Sequence, residues 1–161
     1  MQKKYRMNFT RLEIPDVILR EPKTLSDDRG CFLETFREDK LEEFLDFSIN
    51  FCQENESKSS FGVLRGLHYQ LAPHAQTKLV RVLQGTVLDI SVDFRKDLPT
   101  FGKHITIELS DENKKQILIP KGFAHGLITL SSEAVLAYKV DEYYHQASER
   151  GIAYHHTMIR A

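Results

Sequence analysis

His68, Lys78 and Tyr138 carry the side chains in this 161-residue chain best suited to moving a proton. An imidazole titrates near neutrality, a phenol can give or accept a proton, and an ammonium stabilises an anion. Together they are the parts needed to remove a proton next to a carbonyl, hold the resulting enolate and return the proton. Each also has a plainer explanation. A lone histidine among apolar neighbours is often a hydrogen-bonded structural residue, and Tyr138 in Val-Leu-Ala-Tyr reads equally as a core aromatic. Residue type and spacing leave both explanations standing.

Other chemistries find less support. The chain has seven histidines, but His68 is followed by Tyr69 and Gln70, where a second histidine two residues on would be needed to put two imidazoles on one strand face. An amide is a poor ligand for zinc or iron, and the adjacent His155 and His156 would point apart if extended. No metal site is expected. Cys31 and Cys52 lack a recognisable activating setting, and neither a Gly-x-Ser-x-Gly elbow nor a glycine-rich phosphate loop is present. Proton transfer is what remains.

The charge balance limits the partners. Lys and Arg number 22 against 23 Asp and Glu, a formal net charge of −1. That balance gives no general footprint for nucleic acid or a membrane surface, so a bound anion must be held by a few placed residues. No apolar run approaches the ~18 residues of a transmembrane helix. The opening MQKKYRMNFTRLEIPD has positive charge without a following apolar stretch, so no signal peptide is expected. Two cysteines outside any disulfide pattern suit a reducing compartment, and the chain is expected to be cytoplasmic. Its length reads as one domain over 1–161.

The elements that must position these residues are short strands. In 86–94, Leu88, Ile90, Val92 and Phe94 alternate with Val87, Asp89, Ser91 and Asp93, which puts the two sets on opposite faces. Residues 105–109 repeat the pattern, and 78–83, 116–119, 126–130 and 134–140 read as further strands between turn signals such as Gln84-Gly85 and Pro120-Lys121-Gly122. The one convincing helix is 37–47, with Leu41, Phe44 and Leu45 on one face. Many strands with little helix predict an all-β antiparallel sandwich or barrel. Asp89, Ser91 and Asp93 either face solvent or point inward and line a pocket; the pattern does not choose.

Five ordered segments, DDRGCFLETF (27–36), GVLRGLHYQ (62–70), VDFRKDLPTFG (92–102), IPKGFAHGLITL (119–130) and AYKVDEYY (137–144), make the chain resemble the dTDP-4-dehydrorhamnose 3,5-epimerase family. The resemblance runs from about Ile14 to Gly151. It implies a cupin-like antiparallel jelly-roll barrel with minor helices, and a homodimer that exchanges N-terminal strands. It further implies metal- and cofactor-free epimerisation of dTDP-4-keto-6-deoxy-glucose at sugar carbons 3 and 5. By motif position, His68 matches the general base and Tyr138 the acid on the opposite face of the sugar. Lys78 and Arg65 match residues near the 4-keto oxygen, and His125 matches a second active-site histidine. Arg29, Phe32, Glu34, Gln53 and Asn55 fall on nucleotide and diphosphate contacts, and Tyr144 on a position over the pyrimidine or sugar.

The chain departs from this pattern at its end. After Glu149-Arg150-Gly151-Ile152 the family continues through an aromatic to Asn-Asp-Pro, whose Asp orients the catalytic histidine, whereas no Asp or Glu follows Glu149 here. The C-terminus is therefore read as short or atypical from about residue 153, and a frame slip in the coding sequence would account for Thr157 to Ala161. Three functions follow from this reading: the 3,5-epimerase, a monofunctional epimerase of a related 4-keto sugar nucleotide, and a sugar-nucleotide binder without turnover.

Overall fold

A computed structural model of the chain describes residues 8–153. Its strands run β1 (Asn8–Arg11), β2 (Ile18–Glu21), β3 (Thr24–Asp27), β4 (Gly30–Leu33), then α1 (Glu38–Leu45). There follow β5 (Gln53–Ser60), β6 (Leu64–Gln70), β7 (Lys78–Gln84), β8 (Thr86–Asp93) and β9 (His104–Ser110). The last are β10 (Gln116–Ile119), β11 (Phe123–Thr129), β12 (Glu133–Val140) and β13 (Glu149–Gly151). All pairings are antiparallel. One sheet has the order β1-β2-β10-β7-β12-β5 and the other β13-β6-β11-β8-β9. The two form the expected cupin-like jelly roll.

Alternation explains the layers. Val80 and Val82 of β7, Ile117 and Ile119 of β10 and Leu136 of β12 face Val87, Leu109, Phe123 and Leu127 of the other sheet in one buried cluster. The opposite set on the first sheet, Ile18, Leu79 and Leu118, packs against Leu41 and Leu45 of α1. A third cluster covers the outside of the second sheet, with Leu67, Val92 and Ala124 beside a stacked Tyr69–Phe94 pair. Among the described residues no helix is long and apolar enough to cross a membrane.

Asp89, Ser91 and Asp93 are fully buried, which settles the face left open by their alternation. Asp93 is held by Arg95 and Thr100, with Arg95 also bound to Asp16. Polarity hid β5 from periodicity. Gln53, Asn55, Ser57 and Ser59 alternate with Glu54, Glu56 and Lys58, so neither face shows an apolar stripe.

The β3–β4 hairpin belongs to neither sheet; among the described residues its two strands pair only with each other. Arg29 stands at its tip, ion-paired to Asp27 at 2.6 Å, and Phe32 is 61% exposed. This arm leaves the body between β2 and α1.

Helix α1 is shorter than the 37–47 expected because Arg37 is its extended N-cap and Asp46 turns into the left-handed region (φ 67°), donating its N–H to the Glu42 carbonyl. Glycine adopts that conformation without the penalty a Cβ brings. Asp46→Gly is therefore expected to stabilise the fold by about 0.5–1 kcal/mol, raising the melting midpoint by ~1–4 °C in calorimetry. A lowered midpoint would contradict this reading of the helix end.

Candidate active site

The chemistry collects where the two sheets part. His68 on β6 and Tyr138 on β12, from opposite sheets, line one cavity of about 370 Å³ with Ser57, Arg65 and His125. His68 lies directly across from His125 in the β6–β11 pairing, with ring centroids 6.3 Å apart. Close backbone approach makes that possible. A Cβ on Gly66 (φ 103°) would meet the His125 carbonyl oxygen at 2.5 Å, and one on Gly126 would meet the Arg65 carbonyl oxygen at 2.7 Å. The β6–β11 register shifts between His125 and Leu127, so the irregularity lies beside the histidines.

Lys78 begins β7 next to β12 and is 4% exposed, with its Nζ 6.0 Å from the centre of the Tyr138 ring. Burial is the main cause that lowers its pKa to about 8, opposed by the negative charges of Asp89 and Glu149. Among the described residues no carboxylate lies within ion-pair distance of it. His68 is driven down to about 3, first by burial and then by the charges of Lys78 and His125, which makes it a neutral imidazole at physiological pH. Tyr138 is pushed up by burial, against a hydrogen bond with Asn55 and the nearby Arg65 charge. A neutral acceptor, a protonated phenol and a buried cation are the states that proton abstraction beside a carbonyl requires.

The remaining candidates divide into three groups. Gln53 and Asn55 lie on β5 before the cavity-lining Ser57, joined by a 2.8 Å hydrogen bond, while Arg65 is braced by the Ser59 hydroxyl at 2.6 Å and the Lys58 carbonyl at 3.0 Å. Tyr144 is exposed after β12 and donates its hydroxyl to Glu149 at 2.7 Å. Arg29 and Phe32 are on the arm, outside the cavity of this protomer, and border a separate open hollow of about 720 Å³. Glu34 follows the arm, 3.8 Å from Arg37, with one carboxylate oxygen buried and unpartnered among the described residues.

Two carboxylates near the site were not among the candidates, although alternation had left Asp89 open to an inward-facing position. Asp89 accepts a 2.7 Å hydrogen bond from His125 Nε2, and its second oxygen and the Ser91 hydroxyl are buried without a protein partner among the described residues. Its signal was present, since a carboxylate in an alternating strand is either solvated or paired. Glu149 had none, because β13 brings it to the site only through pairing with β6. The segment after Ala153, where an orienting Asp was sought, lies outside the described residues.

A two-sheet β fold that brings an imidazole and a phenol from facing sheets to one cavity, with a buried ammonium near the phenol, has the parts of a carbon-acid isomerase. Residues 11–160 match the family described as dTDP-4-dehydrorhamnose 3,5-epimerase. The enzyme of that name from Shigella flexneri is 53% identical over 146 residues, covering 91% of this chain and 81% of its own length. The crystal structure of dTDP-6-deoxy-D-glucose-3,5-epimerase from Legionella pneumophila Philadelphia 1, in complex with dTDP-4-keto-L-rhamnose, superposes with a TM-score of 0.92. It is 47% identical and the match covers 96% of this chain and 81% of that one. A 3′-monoepimerase from Streptomyces bikiniensis, in complex with dTDP-quinovose, is more distant, with 30% identity, a TM-score of 0.83 and coverage of 88% and 71%. The chain belongs to the dTDP-4-dehydrorhamnose 3,5-epimerase family.

Two expectations follow from the site. The pH profile of proton exchange should be flat from about pH 5 to 7 and fall above about pH 8, because Lys78 loses its proton there while His68 is already neutral. A rate that rises through pH 8 would show that the ammonium is not required. Gly66→Ala, forcing a Cβ against the His125 carbonyl, should destabilise the fold by about 1–3 kcal/mol in denaturant titration. Unchanged stability would mean that β6 and β11 can separate freely.

Proposed function

We propose that the chain epimerises dTDP-4-keto-6-deoxy-glucose at carbons 3 and 5 to dTDP-4-keto-L-rhamnose, with His68 as base, Tyr138 as acid and Lys78 on the 4-keto oxygen. The ketone makes both neighbouring C–H groups acidic, because the electron pair left behind moves onto oxygen. His68 takes the proton, the Lys78 ammonium stabilises the enolate oxygen, and the Tyr138 hydroxyl returns a proton from the other face. A preorganised cation at a developing oxyanion is worth a few kcal/mol, on the order of 2–4. The observation that carries the reading is the placement of His68 and Tyr138 on opposite sheets around one cavity.

The nucleotide end is assigned to Gln53, Asn55, Arg65 and Tyr144, with Arg29, Phe32 and Glu34 supplied by the arm. His125, tied to Asp89, contributes the second histidine beside the sugar. Guanidinium forks suit diphosphate oxygens. The arm reaches a partner protomer in a homodimer that exchanges N-terminal strands. An arm that among the described residues pairs only with itself supports this, as do the exposed Phe32 and an exposed Phe61 just after the edge strand β5. The free thiols of Cys31 and Cys52 fit the cytosol as the setting.

The test is an NMR time course with dTDP-4-keto-6-deoxy-glucose in deuterated water. Signal is expected to be lost at carbons 3 and 5. Loss at one carbon alone would identify a monofunctional epimerase, and binding without loss a non-catalytic protein. His68→Ala should slow exchange by about 10²–10⁴-fold while nucleotide binding persists. Tyr138→Phe should still exchange protons through His68 but invert about 10²-fold more slowly. Equal loss of exchange and inversion in Tyr138→Phe would overturn the division of roles.

A further inference from the structure

The arm carries Arg29 and Phe32 on a hairpin whose strands, among the described residues, pair with each other and with neither sheet, so the chain at its base bears on where it points. Arg20 is there. It is the third residue of β2, just before the arm, and is 2% exposed. Its guanidinium donates across the base to the main-chain carbonyl oxygens of Glu34, at 3.0 Å, and of Thr35, the first residues after the arm. A further hydrogen bond, 2.7 Å long, goes to Gln116 Oε1, and the Gln116 amide donates to the Thr35 carbonyl at 3.1 Å. Gln116 pairs with Arg20 on one side and Arg81 on the other, so the row is set by strand register. Burial lowers the Arg20 pKa to about 10, opposed by the charge of Glu34 and helped by that of Arg81, which leaves it charged at neutral pH. A charged fork thus joins the strand that enters the arm to the chain that leaves it.

We infer that Arg20, braced by Gln116, is a positioning residue that fixes the direction in which the arm leaves the body, and so how Arg29 and Phe32 meet the nucleotide. This rests on the arm-exchanged dimer proposed above. Carbonyl oxygens are held whatever side chains follow, so these bonds act as a clasp on the path of the backbone, and the attraction between Arg20 and the Glu34 charge works at the same place.

The experiment compares the full chain with Arg20→Leu and Arg20→Lys by hydrogen–deuterium exchange, steady-state kinetics and sedimentation. In Arg20→Leu, exchange over 24–33 should accelerate about tenfold with β7 and β8 unchanged, and KM for the sugar nucleotide should rise about tenfold with kcat within about twofold. Arg20→Lys, which keeps the charge without the fork, should fall between and decides the matter if Arg20→Leu does not fold. Unchanged arm exchange and KM in a folded variant would overturn the clasp, as would exchange that accelerates evenly through all strands. If the unaltered chain sediments as a monomer, the dimer reading fails instead, and arm exchange still decides whether Arg20 holds the base.

Discussion

An ammonium held inside a protein interior is the constraint around which this molecule is arranged. Lys78 begins a strand whose next inward residues, Val80 and Val82, belong to the apolar core, so the charge sits where hydrocarbon begins. Burying a cation is costly unless opposite charge lies nearby. Asp89 from the other sheet and Glu149 from β13 supply it at a distance, which leaves the ammonium charged near neutrality yet free of a direct carboxylate contact. Burial, with the ammonium's charge added to it, keeps His68 neutral. Burial between the two sheets is thus the first cause of the shift at Lys78, His68 and Tyr138 alike.

The outer layers serve a different end. Helix α1 covers the back of the first sheet, and the segment between arm and helix is drawn onto that sheet by Arg20 and Gln116. A short helix and two buried polar side chains thus anchor an element that has almost no packing of its own. Exposed side chains such as Arg29 carry their ion pairs in water, where these add little to stability. The arm's conformation is governed from its base.

Fold class was legible in the sequence because alternation is a direct image of burial in strands such as β8, β9 and β12. It failed for β5, whose more buried face is Gln, Asn and Ser, with Ser57 lining the cavity, and for the arm, whose residues are exposed or at most half-buried. The same logic applies to the site. His68, Lys78 and Tyr138 could be singled out by residue chemistry, but Asp89 looked like any half-exposed strand carboxylate until the opposite sheet closed over it. Glu149 could be placed only by long-range pairing of β13 with β6. What local pattern cannot encode is which polar face another sheet will cover.

His68 and Tyr138 are mounted on separate sheets, and that gives the apolar core a second role. Facing sheets pack about 10 Å apart, and side-chain volume in the layer between them sets that separation. Leu136 reaches both, since it packs in the core and also lines the cavity two residues before Tyr138. The hydrocarbon layer thus works as a spacer, gauging the gap a sugar ring must span between imidazole and phenol. Variation deep in the sandwich, at positions that never meet a ligand, becomes a means of adjusting the fit of the jaws.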